Sequence, residues 1–428
     1  MTSIRYNPHE EPDEDEEKTL DQYVHEHGAE CVADVADIAI GTNEKRVTNT
    51  ENFLVDRYVE YEVETTIRIG SSIDAKLPPT FTVFRRYSDF EALRTCLVVS
   101  HPSVIVPPLP EKVVNVVWKN GTPELDKFND DLIGHRRCAF QTFLVRVSKH
   151  SVLSAHPKYH DFLTRDYDFK VLMSGVEMKS DSFFKQLSAT IGLKKPDKRF
   201  LELKTYADAL EESTKEVIDV RRKVGFKRLQ IYKLFADLAK QFNDWSGIEP
   251  EMGDCLQSAS HRLDGLAGLV QGFSEQDETQ FGEPMKEYQL YADAMRSVAK
   301  KGEIVQYECE QTEQVLHSKV KAKADFEKDP NALSFSSLKA KLFGGGPSIE
   351  ERRKEHEQIV KKAEESVERA QEELSSFVSQ SERDMETFHR QKREDIKRVL
   401  IADAKLQLEL NRKSLSAWRN LKETFHSC

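Results

Sequence analysis

The chain has 428 residues, enough for two or three domains of ordinary size. Its 32% of charged residues and mean hydropathy of −0.61 point to long solvated helices rather than one large core. A formal net charge of −11 excludes nonspecific attraction of the whole molecule to nucleic acid or acidic lipid, so any anion site must be a local basic patch.

Residues 1–30 contain an acidic run (Glu10, Glu11, Asp13, Glu14, Asp15, Glu16, Glu17) and are expected to be a disordered tail. The start is not a basic-then-apolar signal, and no run of about eighteen apolar residues exists. The expectation is an intracellular protein that meets a membrane only from the side. Cysteines at 31, 96, 138, 255, 309 and 428 form no Cys-x-x-Cys pair, which favours neither a disulfide framework nor a zinc site.

A weak strand candidate runs from Val32 to Ile40. Residues 58–69 place Val59, Tyr61, Val63, Thr65, Ile67 and Ile69 on one face, the alternation of a half-buried strand. Thr80 to Arg86 follows the Pro78-Pro79 break as another strand, completing an antiparallel meander of three. Ser88 with Glu91 fits a capping box for a helix reaching Val99, which His101-Pro102 ends. Val106-Pro107-Pro108-Leu109-Pro110-Glu111-Lys112 should be extended; folded flanking elements weigh against its being an SH3 ligand. Helix returns from Asp126 to Thr164, with Phe140, Phe143, Leu144 and Val147 on one side.

Arg86 stands where a strand ends and a helix begins. There an arginine fork can meet a phosphate together with free helix-start amides. Tyr87 offers an apolar ring to a sugar-like ring, and Lys112 and Arg136 are placed to close a pocket from other elements. An isolated Arg-Arg-Tyr would be surface charge. The series Arg85-Arg-Tyr-Ser-Asp-Phe90, Val106-Pro-Pro-Leu-Pro-Glu-Lys112 and Arg136-Arg137 ahead of Phe140-Gln-Thr-Phe-Leu144 resembles the PX domain of sorting nexins, over residues 31–168. The resemblance implies a phosphoinositide site at Arg86, Tyr87, Ser88, Lys112 and Arg136. Arg86 would hold the 3-phosphate and Tyr87 would lie under the inositol ring. Lys112 would hold the 1-phosphate and Arg136 the far hydroxyls, which favours phosphatidylinositol 3-phosphate. No metal or cofactor is expected.

Residues 175–196 read as a linker. Within Asp181 to Lys195, Phe183, Phe184, Leu187 and Ile191 share a helical face, able either to lie in a bilayer interface or to pack on a neighbouring helix.

Residues 197–428 are long-period helix. From Phe200 through Leu203, Ala207, Leu210, Val217, Phe235 and Phe242 to Trp245, spacings of three and four make a heptad seam, and such a helix spans about 70 Å. Arg221 and Arg228 occupy seam positions beside Gly225, where the helix is expected to bend or the seam to open. Arg221, Arg222, Lys223, Lys227 and Arg228 form a candidate basic membrane face, an ordinary solvated face being the alternative. A second helix, Glu251 to Asp325, should kink or break near 280–284 because Pro284 lies inside it. Gly344-Gly345-Gly346-Pro347 marks a linker before a last helix from Ile349 to about Phe425. The apolar stripes exceed what one antiparallel trio can bury, which implies a dimer.

This order of modules resembles the PX–BAR sorting nexins. The joint from Asn243 to Asp254 and Lys341-Leu-Phe-Gly344 resemble the sorting nexin 4 group in particular. The implied fold is an α+β PX domain, a three-stranded antiparallel meander plus helices, followed by an all-α BAR three-helix coiled-coil bundle. The implied function is a peripheral adaptor on the cytosolic face of early endosome membranes. It would sense or generate tubule curvature for cargo sorting into recycling or retrograde carriers, with a role in autophagy. The implied partners are a membrane carrying phosphatidylinositol 3-phosphate, a homodimer or a heterodimer with another PX–BAR sorting nexin, and cargo receptors, but no nucleic acid. A PX-tethered dimeric scaffold for cargo or motors is the alternative. Enzymatic readings fare poorly: His317-Ser-Lys319 with Asp325 is one residue too long for a phospholipase D signature, and the glycine run lacks the lysine of a P-loop.

Overall fold

The structure, a computed structural model, describes residues 20–26, 29–49, 55–68, 80–112, 115–119, 122–126, 130–166, 192–329 and 348–427. Helices α1 (Leu20–Glu26) and α2 (Val32–Val35) precede strands β1 (Ala36–Asn49), β2 (Val55–Ile67) and β3 (Thr80–Arg86), which form an antiparallel sheet in the order β1-β2-β3. The strand alternation behaves as expected: Tyr61, Val63, Thr65 and Ile67 are all buried. The disordered-tail expectation is corrected at α1. Leu20, 1% exposed, joins the core with Val24 against it, an i,i+4 apolar pair too short to stand out beside the acidic run.

Helix α3 (Tyr87–Ser100) starts directly where β3 stops, two residues earlier than Ser88 as N-cap would allow. The Asp89 carboxylate accepts the Arg86 backbone N–H at 2.9 Å, so the cap forms two residues upstream of the expected box. The proline run has no regular structure, and a hairpin of β4 (Asn115–Lys119) and β5 (Thr122–Asp126) follows it. The expected helix from Asp126 to Thr164 is three helices: α4 (Asp130–Ser148), α5 (Ser151–Ser154) and α6 (Pro157–Thr164). Histidines make the breaks. His150 Nδ1 accepts the amides of Val152 and Leu153 at 3.3 and 3.2 Å, and His156 Nδ1 accepts that of Lys158 at 3.1 Å ahead of Pro157.

Burial, then the nearby His101, pushes His156 down to about 4. Its neutral form is favoured in the fold. Its contribution is therefore complete above the unfolded value of about 6.5 and is lost as pH falls toward the folded one. Thermal melts should show stability falling below about pH 6.5, and His156→Asn, which keeps a capping acceptor, should flatten that dependence.

The second half comprises α7 (Lys198–Ser246), α8 (Gly253–Asp277), a π-helical turn (Glu278–Gly282), α9 (Glu283–Lys328) and α10 (Ile349–Ser427). The expected kink takes the form of the π-turn. Pro284 has no N–H for the Gln280 carbonyl and its ring crowds that oxygen, so the helix takes up an extra residue per turn there. Helix α7 is uninterrupted at Gly225, and both seam arginines have partners: Arg221 is paired with Asp277 and Asp403, while Arg228 donates to Gln407 at 3.1 Å and lies 4.4 Å from the Phe273 ring centroid. Among the described cysteines, Cys31, Cys96, Cys138 and Cys309 are free, whereas Cys255 is disulfide-bonded, which its spacing did not announce.

Phe200 at the start of α7 lies against Gly302 so closely that a β-carbon there would enter the ring. Phe200 is itself 2% exposed and edge-on to Phe377, so it has little room to move. Gly302→Ala should lower stability by about 1–3 kcal/mol in a urea melt.

The two halves are joined tightly. Arg146 on α4 reaches Glu287 at 2.6 Å and Asp395 at 2.7 Å, and the Tyr288 hydroxyl donates to Asp395 at 2.6 Å. His150, its Nδ1 occupied by cap amides, donates from Nε2 to Asp384 at 2.6 Å. The Ile105 amide donates to the same carboxylate at 2.7 Å, and its buried side chain joins the apolar cluster of the bundle.

Candidate functional site

The alternation of β3 sends its two arginines to opposite faces. Arg85, 2% exposed, donates to the carbonyls of Phe84, Asp161 and Phe162 at 3.1, 3.4 and 3.0 Å and also to that of Arg165. Three of these belong to the end of α6, whose final carbonyls have no partner within the helix and favour a cation. Arg86 falls on the other face, with its side chain 29% exposed. Its Nε is 3.7 Å from Asp89 Oδ1 and its guanidinium carbon is 5.1 Å from the Tyr58 ring centroid. Among the described residues, its two terminal nitrogens make no hydrogen bond.

Tyr87 is the centre of the cluster. Its hydroxyl donates to the Pro110 carbonyl at 2.7 Å, and its ring meets Phe140 edge-on at 5.5 Å. Lys112 Nζ lies 5.2 Å, and the Arg136 guanidinium carbon 5.1 Å, from the ring centroid. Burial is the main cause that pushes the phenol up to about 12, so it stays a neutral donor to the proline run. The start of α3, the end of the proline run and α4 thus bring Tyr87, Lys112 and Arg136 together, with Arg86 next in the chain. Ser88 occupies the first turn of α3, where amides lack an intrahelical carbonyl. Cations, helix-start amides and one aromatic face are the groups needed by a phosphorylated, hydroxylated ring.

Residues that sequence reading did not assign to the site complete the cluster. Glu91 pairs with Lys112 at 2.9 Å, the Arg136 charge partly offsets the burial that raises the Tyr61 phenol, and Tyr58 supports Arg86. Tyr58 and Tyr61 lie on β2, which the register Glu60↔Arg86 places beside the site. That register is not readable from local sequence.

On α7, Arg222, Lys223 and Lys227 are exposed, Arg222 with Asp219 at 3.7 Å. Arg221 and Arg228 are turned into the bundle, so the expected five-residue basic face reduces to three. The stretch carrying Phe183, Phe184, Leu187 and Ile191 lies outside the described residues. Among the described residues no helix is long and apolar enough to cross a membrane, and no group of three His, Cys, Asp or Glu is placed to hold a metal.

The PX domain family matches residues 77–166. Over 399 residues the chain is 35% identical to sorting nexin-4 of Bos taurus, covering 91% of this chain and 86% of that protein. The figures for sorting nexin-4 of Homo sapiens are 34%, 91% and 86%. Sorting nexin-30 of Xenopus tropicalis is 24% identical, with 86% and 72% covered. Among solved structures, the SNX-BAR Mvp1 tetramer determined by cryo-EM has the same fold, with a TM-score of 0.56 at 18% identity over 90% of this chain and 99% of that one.

Proposed function

The chain belongs to the PX–BAR sorting nexins, of the sorting nexin-4 group, and on that premise we propose that it binds phosphatidylinositol 3-phosphate on the cytosolic face of early endosomes. A PX domain joined to a BAR bundle makes a membrane-binding adaptor with a part in curvature. The finer reading is that the adaptor senses or generates tubules that carry cargo receptors into recycling or retrograde transport, and that it serves autophagy. No catalytic step is proposed.

One observation supports the lipid reading: Tyr87, Lys112 and Arg136, from separate elements, meet at one place, and the partly exposed Arg86 is next in the chain to Tyr87. Arg86 would grip the 3-phosphate with its terminal nitrogens, and the exposed Lys112 would release Glu91 to take the 1-phosphate. Dimer formation, with a second copy or another sorting nexin, is supported by apolar side chains left open on α7 and α10. Phe226, Leu234 and Leu408 are 61%, 66% and 56% exposed.

Purified protein mixed with vesicles containing phosphatidylinositol 3-phosphate should draw them into tubules visible by electron microscopy. Coated but round vesicles would favour the scaffold without remodelling activity, and uncoated vesicles would remove the adaptor reading.

A further inference from the structure

The π-turn has a charged neighbour that links all three helical layers. Arg221 of α7 donates from Nε to both carboxylate oxygens of Asp277, at 3.1 and 3.2 Å, and Asp277 immediately precedes the turn. Its Nη1 donates to Asp403 of α10 at 3.3 Å. Its guanidinium carbon lies 4.7 Å from the ring centroid of Phe281, which is inside the turn. One side chain therefore contacts the residue before the only π-helical segment among the described residues, a ring inside that segment, and the facing helix α10.

We propose that Arg221, Asp277 and Asp403 are positioning residues that fix the bend at the π-turn and thereby set the diameter of the membrane tubule the protein favours. The inference rests on the curvature reading above. A π-turn is one of the few causes of a sharp helix kink, and Pro284 secures its presence but not its angle. Cohesion there is already supplied by Ile218, Phe281, Met285 and Val399, which form an apolar cluster.

Stability alone gives a weak reason for the ions. The three side chains are only 23, 16 and 17% exposed, and apolar replacement of such a triad is often neutral or favourable. Directed hydrogen bonds specify geometry where apolar contact does not. Leverage makes the geometry matter. Helix α9 has 46 residues, so a change of about 5° at the turn moves its far end by about 6 Å. One heptad on, Arg228 contacts Phe273 and Gln407 but does not reach the turn.

The test compares full-length protein with the triple variant R221M/D277N/D403N, which removes the three charges together. Vesicle binding should stay within about twofold of wild type, since these three side chains pair with one another and with Phe281 rather than with Arg86, Tyr87, Lys112 or Arg136. The spread of tubule diameters by electron microscopy should roughly double, with helical content unchanged. Should the triple variant fail to fold, Asp403→Asn, which keeps the Arg221–Asp277 pair, is read the same way. A lower melting temperature with wild-type tubules would make the triad merely structural and overturn the inference alone. Wild-type protein that binds vesicles without forming tubules would overturn it together with the curvature reading.

Discussion

Arg86→Ala should cut binding to vesicles carrying phosphatidylinositol 3-phosphate by roughly tenfold to a hundredfold or more and leave the thermal melt nearly unchanged. A hydrogen bond to a charged group contributes about 1.5–3 kcal/mol, and a fork gripping a phosphate makes two. The native fold loses little, because a partly exposed ion pair at 3.7 Å contributes weakly. Arg86→Lys should fall between, since an ammonium keeps the charge without the planar fork. The neighbouring Arg85→Ala should do the opposite. It strips the end of α6 of a buried donor to several carbonyls, so the protein should lose stability whether or not lipid is present. Vesicle flotation paired with melts on the three variants separates recognition from folding. Binding by Arg86→Ala at the wild-type level would move the site elsewhere.

Asp395→Ala should break the junction between the two halves. It leaves Arg146 buried beside Glu287 alone and deprives the Tyr288 hydroxyl of its acceptor. Removing one partner of a buried charged set costs about 3–5 kcal/mol. The loss falls on the junction and on the bundle cluster that holds Tyr288 and Ile105, whereas the core around Phe90 and Phe140 is a separate cluster. A single cooperative melt should therefore split into two transitions in calorimetry, with faster hydrogen exchange at the Ile105 amide held by Asp384. One unshifted transition would mean that the apolar contact of Ile105 suffices.

Local signals announced most of the frame. Alternation in β2 and β3, the heptads of α7 and the proline behind the π-turn act over a few residues, so they can be read without a structure. The binding motif was legible for a related reason: Arg86, Tyr87 and Ser88 are consecutive, and the proline run and α4 carry their own signatures. What stayed hidden depends on distance along the chain. Arg146 and Asp395 are 249 residues apart, and nothing local marks either as half of a pair. Arg221 stood both at a seam position and in a candidate basic face, and its pairing stayed hidden for the same reason, because its carboxylates come from two other helices. Histidine caps were missed because an imidazole accepting amides is rarer than Ser, Thr, Asn or Asp at a helix start. Helix α1 was missed because a single buried leucine beside many acids does not change the local composition.

Titration of the soluble headgroup decides the central matter. The account predicts saturable binding of a short-chain phosphatidylinositol 3-phosphate and weak or no binding of the 4- or 5-phosphate isomer of equal charge. Equal affinity for all three isomers would reduce the cluster at Tyr87 to a nonspecific basic patch and contradict it.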